Sequence, residues 1–540
     1  MKLKKNNFLE GAFIASFCII ITKILGIVYV IPFYKIIGEQ GGTLYGYAYT
    51  IYNIFLTISS VGIPLAISKL TSEYTALNMN NKRARTYQIS TKIILIFSVI
   101  SFLICFTFAP NLSNLLIGEL EGGNTIQDVT FVIRVISFAI LIIPWLSIER
   151  GYLQGLRFIK EPSISQIIEQ GVRILIIIVG SYLCVNIFNL PIRYAVGISV
   201  GAAALGGIAT FIYLHLIVHK NKKDIGLDIK PVKNKEEDKE IIKKIIFYSL
   251  PFVVINLANS IYTTTDLFLV LRTLPKLGYT AEVTEYIGSV FSTWGIKFNT
   301  IVMSLCTGLV ISLIPNIVKQ YQEKDLSGVN DNFNKCIKLV LLILLPLALY
   351  MSGMSQSMWR IFYGNNIYGE TIIKFTVLVT VIDCMYTVIN SLLQSLNKTK
   401  IIYFSIITGI VLNLILDVPL MTLFNKLNIN AYYGAILATF IGTTTSVIIS
   451  LIYLNKQIKF NYKETIKVIP RLIMSLIFII IMTKIFNIIL PVTTGGRLMQ
   501  IINVLVSGLV TGGLYLVINF KYIKEILPSS LARKLKIKMN

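Results

Sequence analysis

Two lysines and a small group of oxygen-bearing side chains sit where an apolar chain should not need them. Lys23 and Lys297 both fall inside long hydrophobic segments. At about 1.5 Å of rise per residue, Lys23 lies about 18 Å from the inner end of its segment, and Lys297 about 17 Å from the outer end of its own. A charge at mid-bilayer costs about 2.5–3.5 kcal/mol on insertion scales, so each lysine needs a reason to be there. Two cations at one depth repel in hydrocarbon but suit a shared aqueous cavity that receives an anion. The alternative is that each pairs with a carboxylate, and Asp383 lies at a suitable depth for this.

The second group is acidic and polar. Asn413 and Asp417 are four residues apart and share a helix face. Thr439 on the following segment and Asp266 on the seventh reach the same outer level by the same rise. Two carboxylates, an amide and a hydroxyl are hard oxygen ligands of the kind a small cation takes; a proton-sharing carboxyl pair or a polar helix contact would use the same residues. Glu169 and Arg173, again four apart at the inner part of the fifth span, can pair with each other or face a ligand. Arg134 and the Glu149-Arg150 pair are close enough to the interfaces to snorkel, and His215 and His219 fall at a helix end facing water. The chain shows no triad spacing, phosphate loop or metal-hydrolase motif, and nothing points to an enzyme.

The elements that must carry these residues are membrane helices. The chain has 540 residues, 55% hydrophobic and 14% charged, with a mean hydropathy of +0.73. The fold expected is an all-α polytopic membrane protein with about 14 transmembrane helices: two six-helix lobes and two C-terminal helices. The expected division is residues 1–218 for the first lobe, 219–244 for a polar linker, 245–455 for the second lobe, 456–520 for the last two spans and 521–540 for a basic tail. Six crossings return the chain to its starting side, so the lobes should form a parallel repeat. Gln154-Gly155-Leu156-Arg157 after the fourth span and Gln394-Ser395-Leu396-Asn397 after the tenth match at the place that division requires.

The net charge of +24 follows the positive-inside pattern when the termini are placed in the cytosol. Lys82-Arg83-Arg85, Lys456-Lys459-Lys463-Lys467 and the tail lie on that side, which suits contact with anionic lipid and argues against nucleic acid. The six cysteines have no CxxC spacing and read as small core residues.

Four stretches carry a family resemblance: Thr22-Lys23-Ile24-Leu25-Gly26-Ile27-Val28-Tyr29-Val30-Ile31-Pro32-Phe33, Gly62-Ile63-Pro64-Leu65-Ala66-Ile67-Ser68-Lys69, Arg150-Gly151-Tyr152-Leu153-Gln154-Gly155, and Ser165-Gln166-Ile167-Ile168-Glu169-Gln170-Gly171-Val172-Arg173. They resemble the polysaccharide-export branch of the MATE-like (MOP) superfamily, and within it the MurJ-type lipid II flippases and the stage V sporulation protein B group. The resemblance implies a V-shaped cavity opening alternately to either side of a bacterial plasma membrane, with both termini cytoplasmic. It implies a polyprenyl-diphosphate-linked oligosaccharide as cargo: a peptidoglycan precursor, or alternatively a teichoic, capsular or spore-cortex unit. A MATE-type cation-coupled drug exporter is a more distant alternative. The tail of the cargo would lie against the last two spans, and the cell-wall synthesis machinery is an implied partner. Lys23 stands at a family arginine position, Lys297 at another, and Tyr29 replaces a third; Lys cannot grip phosphate with the planar fork of Arg. With Arg150, Glu169 and Arg173 they form the candidate substrate cavity. Asp266, Asn413, Asp417 and Thr439, with the Ala435 carbonyl, match the sodium site of some family members. No cofactor is implied beyond Na+ or H+ as coupling ion, with membrane potential as an additional or alternative drive.

Overall fold

In hydrocarbon no water bonds to exposed backbone amides, so each apolar segment must satisfy its own N–H and C=O groups. The computed structural model describes residues 8–60, 62–118, 123–229, 234–396, 398–458, 460–490 and 496–526, and among them every regular element is helical. The basic tail beyond residue 526 lies outside the described residues. The all-α polytopic class expected from the sequence is the class the chain forms. Among the described residues twelve helical stretches are long and apolar enough to cross a membrane. The first and eighth expected spans fall on α1 (Phe8–Val28) and α11 (Ile296–Gln322), which are not among the twelve.

By internal contacts the chain forms two units, Met1–Thr293 and Trp294–Asn540. The first holds α1, α2 (Val30–Ser60), α3 (Gly62–Ala76), α4 (Asn80–Thr107), α5 (Ala109–Ile117), α6 (Ile126–Gly155), α7 (Lys160–Tyr182), α8 (Ile192–Lys220), α9 (Lys235–Thr273) and α10 (Ala281–Ser289). Its hub is α6, which packs on α2, α3, α4, α5 and α8. Backbone geometry leaves the helix at Gly38 (φ 66°), a conformation that favours glycine, where the sequence places the turn between the first two spans.

This division falls beyond the polar linker. The end of that linker, starting at Lys235, is the first part of α9 and is tied to the first unit by charge. Arg85 on α4 grips Asp238 through Nε and Nη2 at 2.6 and 2.5 Å. Lys82 reaches Glu240 at 3.6 Å, and Lys244 reaches Glu73 at 3.6 Å. Helices α9 and α10 therefore group with the unit they follow.

Two of the motif stretches meet across a seam without side chains. A Cβ on Gly151 would lie 2.5 Å from the Pro64 carbonyl oxygen, and one on Gly155 2.6 Å from that of Ser68. Residues four apart on α6 thus meet residues four apart on α3, the small-xxx-small mode of close helix packing. Gly155→Leu is expected to destabilise the fold by about 3 kcal/mol or more through overpacking. The check is the monodisperse fraction on size-exclusion chromatography and the melting midpoint in detergent, with Gly171→Leu, at an open position, as the tolerated control.

The second unit adds α12 (Leu326–Leu339), α13 (Leu345–Gly353), α14 (Ser355–Tyr363), α15 (Ile367–Ser395), α16 (Thr399–Lys426), α17 (Tyr432–Ile458), α18 (Lys463–Ile466), α19 (Ile469–Ile489) and α20 (Arg497–Ile526). Here α15 is the hub, against α11, α13, α14 and α17. The helix ends at the two matching motif stretches close in the same way. After α6 the Phe158 N–H donates to the Leu153 carbonyl at 2.9 Å, and after α15 the Lys398 N–H donates to Leu393 at 2.8 Å. Both are six-to-one closures of a helix end at matching motif positions.

Candidate functional site

In the first unit α1 packs on α7, with Gly26 facing the Gln170 amide. Lys23, one turn before Gly26, is exposed on α1. The expected partnership of Glu169 and Arg173 is replaced by another: Arg150 on α6 donates from Nε to Ser165 Oγ and from Nη2 to Glu169 Oε2, both at 2.8 Å. A carboxylate between two guanidiniums goes to the one that can reach it with a second hydrogen bond already in place.

Arg173 lies instead over the Tyr49 ring, 6.0 Å from its centroid, at cation–π range. Tyr49 stacks on Tyr45 at 4.3 Å and meets Tyr52 edge-on at 5.5 Å, while the Tyr45 hydroxyl is 3.3 Å from that of Tyr29. This tyrosine wall was not read from the sequence, although Tyr45, Tyr49 and Tyr52 follow the i, i+4, i+7 spacing of one helix face. It brings Arg173 toward Tyr29. Glu149 does not snorkel. Its side chain is 4% exposed and lies 3.3 Å from His215 Nδ1, so the histidine expected at a watery helix end has a carboxylate partner.

In the second unit Lys297 opens α11 directly after a π-helical stretch, Val290–Trp294. Such a stretch frees a carbonyl, and that of Trp294 accepts the Tyr363 hydroxyl at 3.2 Å. Tyr363 also packs on Trp294 and Trp359, at ring distances of 5.5 and 4.3 Å. The turn presenting Lys297 is therefore built rigidly.

Three of the five candidate cation ligands are linked by hydrogen bonds where α16 meets α17, and Asp417 follows Asn413 one turn along α16. Asn413 and Asp417 are fully buried, the Asn413 amide donates to Thr439 Oγ1 at 3.2 Å, and Thr439 donates to the Ala435 carbonyl at 3.2 Å. The donors are a carboxylate, an amide, a hydroxyl and a backbone carbonyl, which is a hard set suited to an alkali cation. Asp266 is buried on α9, in the first unit. Among the described residues no three His, Cys, Asp or Glu side chains cluster as a transition-metal site would require.

A further polar face escaped the sequence reading. Thr376, Thr380, Asp383, Thr387, Asn390 and Gln394 recur on α15 at steps of four and three, one continuous stripe down a membrane helix. Asn390 is 2% exposed, and neither amide atom has a hydrogen-bond partner among the described residues. Leaving such groups unpaired costs roughly 1–3 kcal/mol each, which packing alone does not repay at Asn390.

On α10, before the eighth span, Glu285 accepts the Asn124 N–H at 3.0 Å and the Asn124 side-chain amide at 3.0 Å. Burial holds its carboxyl above the usual carboxylate range against the pull of these donors.

Residues 8–286 match the family described as polysaccharide biosynthesis protein, and residues 287–418 match the family described as MatE. The chain is 28% identical over 538 residues to the lipid II flippase MurJ of Bacillus subtilis (strain 168), covering 97% of each chain. Among solved structures it is similar to "Lipid II flippase MurJ, inward closed conformation", with a TM-score of 0.59 at 15% identity, over 93% of this chain and 99% of that one. It is also similar to the inward-facing conformation of a multidrug resistance MATE family transporter of the MOP superfamily. That TM-score is 0.66 at 14% identity, over 81% of this chain and 94% of that one.

Proposed function

Because this chain belongs to the polysaccharide biosynthesis protein family, we propose that it is a flippase carrying a polyprenyl-diphosphate-linked peptidoglycan precursor, lipid II, from the inner to the outer leaflet of a bacterial plasma membrane. The observation that carries this reading is the set of cations on membrane helices of one unit: Lys23 on α1, Arg150 on α6 and Arg173 on α7, the last two within a polar and tyrosine surround. A diphosphate leaving water needs positive partners, and its sugars need hydroxyls and amides, so that the headgroup crosses without full desolvation. Lys297 on α11 and the stripe of α15 offer the same two kinds of group in the second unit. Asn413, Asp417, Thr439 and Ala435, all in the second unit, are proposed as the site of a coupling cation, sodium first. The cytoplasmic placement of both termini rests on the distribution of Lys and Arg.

The test is a vesicle assay with purified protein and a fluorescent lipid II, read by quenching from a membrane-impermeant reagent. Acceleration over protein-free vesicles supports the reading. Acceleration only with a teichoic or capsular polyprenyl-linked unit moves the cargo, and none with any polyprenyl-linked donor removes the flippase proposal.

A further inference from the structure

The first unit carries an apolar groove of about 520 Å³ between α6 and α8, away from the cations just described. Phe131 and Phe138 form one wall, Leu205 and Ile208 the other, and Gly197 and Gly201 the floor. Phe138, Leu205 and Ile208 are 46%, 49% and 40% exposed, so the groove faces outward. In a bilayer such a face meets lipid chains, and a flat face would need no explanation. This one is concave, and polar side chains stand beyond one end of it.

At that end Tyr194 closes the groove, its ring edge-on to Phe131 at 5.6 Å. The Tyr194 hydroxyl accepts from Arg193 Nη2 at 3.1 Å, and Arg193 Nη1 lies 3.5 Å from Asp128. Both α6 and α8 begin here, at Ile126 and Ile192, so the cluster marks a membrane–water boundary, where Tyr and Arg anchor. These contacts use two of the five donors of the Arg193 guanidinium, and its side chain is 39% exposed. From Tyr194 to Ile208 the groove runs about 21 Å along α8. One leaflet of hydrocarbon is about 15 Å deep, so the groove runs the depth of one leaflet and about 6 Å further, and a long polyprenyl tail would overrun it.

We propose that this groove is a binding site for an anionic phospholipid, one acyl chain lying between α6 and α8 and the headgroup phosphate on Arg193. The site is separate from the cargo path and stands or falls independently of the flippase reading.

The experiment uses full-length protein in vesicles with a Leu205→Trp reporter, the signal of the three native tryptophans being subtracted with the wild-type chain. Brominated acyl chains quench a nearby indole. Brominated phosphatidylglycerol is expected to reach half-maximal quenching at a several-fold lower mole fraction than brominated phosphatidylcholine, and Arg193→Gln is expected to abolish that difference. Equal quenching by the two lipids, or a preference that survives Arg193→Gln, overturns the site. Relief of quenching by undecaprenyl phosphate at low mole fraction, or by self-association of the protein, assigns the groove to another occupant and overturns it too. Native mass spectrometry of wild type and Arg193→Gln gives the same answer without the reporter: phosphatidylglycerol retained through delipidation by the first and lost from the second. Equal retention by both refutes the proposal.

Discussion

Cells depleted of their own lipid II flippase and supplied with the Lys23→Glu chain are expected not to grow, although the protein reaches the membrane in normal amount. At 4 Å and an effective dielectric of 20, a unit charge pair is worth about 4 kcal/mol, and charge reversal turns that attraction into repulsion of similar size. Against a diphosphate this is a loss of several orders of magnitude in transport, far beyond what growth tolerates. Lys23→Arg, which keeps the charge, is expected to rescue. Membrane abundance, measured by immunoblot of the membrane fraction, separates lost function from lost protein, and Lys23 is exposed on α1, so folding should survive the change. Full rescue by Lys23→Glu would remove Lys23 from the headgroup path.

The second large effect concerns coupling. Vesicle transport by the wild type is expected to rise with a sodium gradient, and Asp417→Asn is expected to raise the half-saturating sodium concentration at least tenfold, about 1.4 kcal/mol. Asp417 supplies the only carboxylate of the cluster where α16 meets α17, so the neutral amide removes that cluster's formal charge while keeping its shape. Thr439→Val serves as the milder partner, losing one oxygen and no charge. If neither the wild type nor Asp417→Asn responds to sodium, the cluster is structural or handles protons. A potassium-gradient control with a clamped potential separates ion coupling from membrane potential.

The parts of this molecule that could be read from its sequence are those governed by periodicity within one helix. The apolar segments announce themselves by length, and Asn413 and Asp417 share a face because four residues make about one turn. Their meeting with Thr439 was legible because α16 and α17 are adjacent, antiparallel and joined by a short connection. Glu169 and Arg173 show the limit. Their spacing permits a pair, yet Arg150, nineteen residues away on another helix, takes the carboxylate, and only packing decides between rivals. The tyrosine wall and the α15 stripe had visible spacing, but hydroxyls and amides carry little signal in a hydropathy reading that looks for charges. The grouping of α9 with the first unit could not be read either, since it depends on which acids of the linker face Lys82 and Arg85 and on Lys244 reaching Glu73.

That clasp of lysines, arginine and acids is unequally shielded from dissolved salt. The range of such attractions shrinks from about 8 Å at physiological ionic strength to about 3 Å at 1 M. Lys82–Glu240 has side chains 26% and 48% exposed, whereas Arg85–Asp238 has 9% and 22%. Rising salt would therefore weaken the exposed Lys82–Glu240 contact before the more enclosed Arg85–Asp238 fork.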